Sequence, residues 1–195
     1  MHKRGYTINP ELPLLELASM TCSREEIGRR VLVLHACCAV SYGFPVDDAK
    51  RWLNDNSLMA WLSPKESKFL ASGKNKKPFK TLPETIWTLG WILSKVNNFN
   101  LEEYLPDDAN LFLPDLNKQE RVQAWLADTA LRDGDDLWRA RDYYQCLDWA
   151  WHDACLKVRV EELNILPCYM IRERRRALEW CHGSEAWDKV LPPMG

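Results

Sequence analysis

The sequence predicts an all-α fold: one domain of seven to nine helices packed irregularly around a tryptophan-rich central helix. Three observations carry that prediction. Apolar residues recur at helical spacing along most of the 195-residue chain, with no alternating stretch long enough for a strand. Two segments open with a complete capping box, Ser23-Arg24-Glu25-Glu26 and Ser63-Pro64-Lys65-Glu66. Most of the ten tryptophans fall inside these helix-like segments, among them Trp87 and Trp91, one turn apart. An indole buries a large apolar surface and carries one N–H that needs an acceptor, so the core is expected to be dense and threaded with polar groups.

Residues 1–20 carry Pro10 and Pro13 and are expected to run extended over the surface. The first helix starts at the Ser23 capping box, where hydroxyl and carboxylate each satisfy a free backbone N–H. Ile27, Val31, Leu34 and Cys38 line one face, and Gly43 and Pro45 end it. A short helix over 46–53 and an apolar patch at 58–62 follow. Ser63, with Pro64 at the first helical position, opens a helix through Phe69 and Leu70 that stops at Gly73. Lys74, Lys76, Lys77 and Lys80 mark a basic loop that reads as solvated.

The central helix begins near Thr81 or Leu82, with Pro83 tolerated in its first turn. Leu82, Ile86, Leu89, Leu93 and Val96 form its main stripe, and Trp87 and Trp91 cover a second face, so it should be packed on several sides. Residues 100–116 form a long connection with a short helix expected at 101–105. A helix is expected over 117–131, a turn at Asp133-Gly134-Asp135, a long helix over 136–163, and a last long helix from Pro167 to Gly183. No linker or repeat divides the chain, which is expected to be a single domain.

The last two helices place charges where the core should be. Leu137, Arg141, Tyr144, Asp148, Trp151, Cys155 and Val158 follow one stripe, and Leu166, Met170, Glu173, Ala177, Trp180 and Cys181 another. A lone buried charge costs several kcal/mol unless it is paired and hydrogen-bonded. Asp148 and Glu173 are therefore expected to find partners among Arg141, Arg174, the tyrosines and the indoles. Either these charges form a structural network that fixes helix packing, or Glu84, Asp148, His152 and Glu173 converge on a pocket that holds a ligand or does acid–base chemistry. Asp148 and His152 are one turn apart, the spacing at which a carboxylate can orient an imidazole. Arg172, Arg174, Arg175 and Arg176 point to different sides of a helix and do not make one phosphate-binding face.

Charge and motifs narrow the function classes. The net charge is −2 and the pI about 6.1, which does not favour nucleic acid or an anionic membrane. No apolar run has the length of a membrane span, and no signal peptide is recognised. The seven cysteines and four histidines show no paired metal-ligand spacing; the cysteines read as small buried hydrophobes of a reducing compartment. No phosphate-cradling glycine loop, nucleophile elbow or zinc-protease motif occurs, so no catalytic residue, metal or cofactor is assigned. Acids outnumber bases between Asp107 and Asp153, a bias that could steer a basic partner.

The ordered blocks resemble a family. Trp52-Leu53, Leu58 to Leu62, Ser63-Pro64-x-Glu66-x-x-Phe69-Leu70, Glu84-x-x-Trp87-x-Leu89-x-Trp91-x-Leu93, Asp148-Trp149, Glu173-Arg174-Arg175-x-Ala177-Leu178-x-Trp180 and Trp187-Asp188-x-Val190 are similar to the domain-of-unknown-function 4272 family over about residues 24–190. Where the family tends to continue to an Asp-Thr ending, this chain has Leu191 to Gly195. The resemblance implies a bacterial, cytoplasmic α-helical domain and brings no activity with it. The chain is thus expected to be a non-enzymatic protein-binding domain, for instance an immunity protein that neutralises a toxin. The alternative is an enzyme or small-ligand binder using a pocket among Glu84, Arg141, Asp148, His152, Glu173 and Arg174.

Overall fold

A computed structural model describes residues 9–16, 18–97, 100, 102–157 and 166–190. Seven α-helices and no strand occur among the described residues: α1 (Arg24–Ser41), α2 (Val46–Asp55), α3 (Pro64–Ser72), α4 (Leu82–Ile92), α5 (Gln123–Ala127), α6 (Gly134–Leu156) and α7 (Cys168–His182). Single 3-10 turns cover Met59–Trp61, Lys77–Phe79 and Trp187–Lys189.

Local chemistry sets the helix ends. Both capping boxes form, with the Ser23 and Ser63 hydroxyls accepting from the Glu26 and Glu66 amides and both glutamates accepting in return. α3 stops at Gly73, which adopts φ 62, a left-handed conformation open to glycine at little cost. α4 ends at Ile92, and the turn after it carries Leu93 and Val96 into the core.

α4 is the axis of the molecule. It packs on α1 on one side and on α7 on another, and α7 in turn packs on α6. Nine of its residues are buried, including Leu82, Ile86, Leu89, Trp91 and Ile92, with Thr85 and Thr88 among them. Gly90 faces the ring of Phe112: a Cβ there would lie 2.6 Å from it. The missing side chain on α4 is thus the space the 100–122 segment fills.

Three expectations are corrected. The helix expected over 117–131 contracts to the five residues of α5, and the rest of 100–122 is turns with no α-helix among its described residues. Leu101 and residues 158–165, the end of the expected long helix, lie outside the described residues. On α6 the buried line is Leu137, Ala140, Tyr144, Leu147, Ala150 and Ala154, so Arg141, Asp148, Trp151 and Cys155 sit one position off it. Alanine lets α7 approach closely, and the larger side chains flank the contact.

Indoles anchor the irregular segments. Trp52 donates to the Glu120 carbonyl at 2.8 Å, Trp125 to Phe112 at 2.6 Å and Trp138 to Leu15 at 2.7 Å. Partly buried carbonyls that no helix uses find their donors this way. Pro13 is further held by Gln145, which donates to its carbonyl, and Thr21 and Cys22 by their amides, which donate to the Cys181 carbonyl.

Candidate functional site

Four polar clusters lie on or beside α7. The deepest joins α7 to α4. Arg174 Nε donates to Glu84 Oε2 at 2.7 Å, with the two side chains 1% and 6% exposed. Its other nitrogens donate to Tyr144 Oη at 3.0 Å, the Asn100 carbonyl at 3.3 Å and the Glu103 carbonyl at 2.8 Å. Burial pushes the Glu84 carboxyl above its ordinary value; Arg174 pulls the other way and Glu173 adds to the rise. A guanidinium stays charged in any such site.

Beside it, Glu173 accepts from Thr81 Oγ1 at 2.9 Å and Thr85 Oγ1 at 2.6 Å, and Arg176 stands 3.8 Å away. Arg176 donates to the Trp187 carbonyl at 3.0 Å and lies over the Trp187 ring at 4.1 Å. On the other flank, α6 and α7 are sewn by Arg141 to Glu179 at 2.7 Å and by Arg175 to Asp148, with Arg175 Nε 3.8 Å from Glu179. A fourth cluster joins α1 to α3. Arg30 Nη1 bonds both Glu66 oxygens, at 3.0 and 2.9 Å, and Nη2 donates to the Trp61 carbonyl at 3.0 Å.

The partners differ from the expected ones. Glu173 pairs with two threonines rather than Arg141, Arg174 or a tyrosine, and Asp148 pairs with Arg175. Arg174, not Glu173, occupies the buried centre of α7. Three of the four neighbouring arginines do point to different sides: Arg174 enters the core, Arg175 the α6 seam and Arg176 the Trp187 ring. His152 Nδ1 donates to the Asp148 backbone carbonyl at 2.7 Å, with the Asp148 carboxylate 3.8 Å away and the ring 46% exposed. That bond caps a helical carbonyl and does not set up an acid–imidazole pair.

Two clefts open around this framework. The first, about 480 Å³, is walled by Trp87, Val96, Asn100, Tyr104, Phe112 and the edge of Arg174. The second, about 560 Å³, lies between the starts of α3, α4 and α7 and the 187–190 turn. Glu173 borders the second cleft and Arg174 the first; Glu84, Arg141, Asp148 and His152 border neither. The six candidate residues therefore do not meet in a single cleft.

Burial withdraws one histidine and three thiols from chemistry. His35 Nε2 donates to the Pro114 carbonyl at 3.0 Å, and burial lowers its pKa to about 4. Burial pushes the Cys38 thiol up to about 12, and Cys37 and Cys181 rise likewise. A thiol is a poor nucleophile in that state. No cluster of three metal-ligating side chains occurs among the described residues, and no helix there is long and apolar enough to cross a membrane.

The profile of the family described as domain of unknown function (DUF4272) matches residues 1–190. The chain belongs to this family. No curated protein and no solved structure matches it. In this DUF4272 member the quoted blocks fall on load-sharing positions: Glu66 on the Arg30 pair, Glu84 and Arg174 on the core pair, Asp148 and Arg175 on the α6 seam.

Sequence reasoning missed one surface feature. Tyr42, Tyr104 and Tyr169 are 64%, 67% and 46% exposed and come from the end of α1, the 100–122 segment and the start of α7. The Tyr42 and Tyr104 phenols both lie within electrostatic reach of Tyr169. Burial is the main cause that raises the Tyr169 phenol, and the Glu84 carboxylate and the Tyr104 and Tyr42 phenols raise it further. Three tyrosines spread over the chain carry no local pattern, so only the fold brings them together.

Proposed function

We propose that the protein is a non-enzymatic binding domain that recognises another protein through the face carrying Tyr42, Tyr104 and Tyr169. The observation that carries this reading is the gathering of three exposed tyrosines from distant parts of the chain. Tyrosine supplies a large, stiff contact area with a polar tip and is enriched at interface hot spots. In sequence Tyr104 is flanked by Glu102, Glu103, Asp107 and Asp108, which suits a basic partner at that end of the face. The concrete form of the proposal is a bacterial, cytoplasmic immunity protein that covers a basic toxin domain.

Co-expression with the product of a neighbouring toxin-like gene tests it. The expected result is a complex that co-elutes on gel filtration and is lost in the Tyr42→Ala/Tyr104→Ala/Tyr169→Ala variant, with the helical circular dichroism unchanged. A toxin-like neighbour that binds the triple variant as tightly, or a protein that elutes alone from its own lysate and has no such neighbour, would overturn it.

A further inference from the structure

The first cleft is bordered by three aromatic rings, those of Trp87, Tyr104 and Phe112. Its volume of about 480 Å³ falls within the roughly 300–1,000 Å³ of small-molecule sites. Trp87 and Phe112 meet edge to face, with centroids 5.9 Å apart and planes at 74° to each other. Tyr104 is 67% exposed, and so is Leu111, at 77%.

The corner made by the two partly buried rings is held from behind. Phe112 lies against Gly90 of α4, where a Cβ would meet its ring at 2.6 Å, and its carbonyl accepts from the Trp125 indole at 2.6 Å. The Phe112 wall is thus set before any ligand arrives, which lowers the cost of binding.

Charge at the cleft is one-sided. Two cations border it, Arg174 and Lys95, and each has a carboxylate of its own that stands outside the lining. Glu84 lies 2.7 Å from Arg174, and Asp128 lies 2.6 Å from Lys95. Two acids also border the cleft, Glu103 and Asp108. Both are exposed, and neither carboxylate has an ion pair or hydrogen bond among the described residues. With both cations matched from outside, the two carboxylates give the cleft a negative field.

The wall is sparing with acceptors. The Val96 carbonyl already accepts from Arg132, the Asn100 and Glu103 carbonyls from Arg174, and the Phe112 carbonyl from Trp125. Asn100 Oδ1 accepts from the Glu102 amide at 3.1 Å. A primary ammonium or a guanidinium leaving water needs acceptors for several N–H groups. A quaternary ammonium has no N–H to satisfy, and aromatic rings attract it by charge alone.

We infer that the first cleft binds a quaternary ammonium group, its methyl groups among Trp87, Tyr104 and Phe112 and its charge facing the carboxylates of Glu103 and Asp108. This goes beyond the tyrosine-face reading and does not depend on it, although Tyr104 borders the cleft as well.

Three probes of one shape test this by ligand-observed NMR titration of the full chain: choline, its neutral carbon isostere 3,3-dimethylbutan-1-ol, and the anion 3,3-dimethylbutanoate. Choline should bind at least about fivefold more tightly than the alcohol, and the anion should bind most weakly. Tyr104→Leu, at an exposed position, should weaken choline about threefold, as expected for one exposed cation–ring contact, and the alcohol less. Glu103→Gln/Asp108→Asn, also at exposed positions, should weaken choline by about the same factor and leave the alcohol unchanged. Nα-acetyl-Nε-trimethyllysine amide carries the same head on a protein side chain. Tighter binding than choline assigns the head to a modified partner protein and weaker binding to a free small molecule; both orders support the inference. It is overturned if choline does not bind, if the alcohol or the anion matches it, or if the Tyr104→Leu and Glu103→Gln/Asp108→Asn variants keep the full preference for choline. A protein that binds choline but no toxin would leave this site standing and remove the tyrosine-face reading; a toxin complex without choline binding would do the opposite.

Discussion

Arg174 and Arg175 are neighbours in sequence and opposites in structure. Arg174 turns into α4, is 1% exposed, and spends its donors on Glu84, Tyr144 and two backbone carbonyls. Arg175 turns into α6, is 20% exposed, and meets Asp148 while its Nε has no hydrogen bond. The difference teaches that the most deeply buried charge on this helix is the one whose three nitrogens all find acceptors, while Arg175 and Arg176, each 20% exposed, keep a buried Nε without a hydrogen bond.

The largest effect is expected from Arg174→Met. It leaves the Glu84 carboxylate buried without a cation, which typically costs about 3–5 kcal/mol. Urea unfolding followed by circular dichroism measures it, and a loss below about 1 kcal/mol would erase the contrast with Arg175. Adding Glu84→Leu to Arg174→Met should recover part of the loss, because the stranded charge is gone while the Tyr144 hydroxyl and two carbonyls still lack their donor.

A pH titration extends the comparison to an imidazole that burial holds neutral. The pKa of His35 is depressed to about 4 from 6.5, so the unfolded chain binds a proton that the folded one refuses. Stability should therefore fall as the pH drops from about 6.5 to 4, by on the order of 2–3 kcal/mol. His35→Phe should flatten that part of the curve.

Arg175→Met should cost about 1–2 kcal/mol, as expected for a charged hydrogen bond at a partly wet site. Arg141→Ala, which cuts the Glu179 pair in the same seam, should cost no more than about 1 kcal/mol and less at high salt. If either equals Arg174→Met, depth of burial is not what separates the two sides of α7.

Elements whose signals are local could be read from the sequence. The Ser23 and Ser63 boxes, the Gly73 stop, the Pro167 start of α7 and the α4 stripe each depend on residues within a few positions of one another. The α6 stripe was displaced by one position because Trp151 and Cys155 outweigh Ala150 and Ala154 in hydrophobicity, whereas close packing selected the alanines. Glu84 and Arg174 could be picked out as charges among apolar neighbours, but their pairing spans ninety residues and has no sequence signature. Arg30 went unmarked because an arginine between Arg29 and Val31 looks like any solvated position, and Glu66 already had a role at a helix start. The tyrosine face and the second cleft were out of reach for the same reason: each is assembled from distant segments, none of which is unusual alone.

Glu66 serves two masters. The oxygen that accepts from the Ser63 amide also accepts from Arg30 on α1. The first turn of α3 is thereby tied to a residue thirty-six positions earlier, and winding that turn and seating it on α1 become a single event. Amide hydrogen exchange should show the opening turn of α3 and the middle of α1 unzipping together as one unit, with Arg30→Met speeding exchange at both.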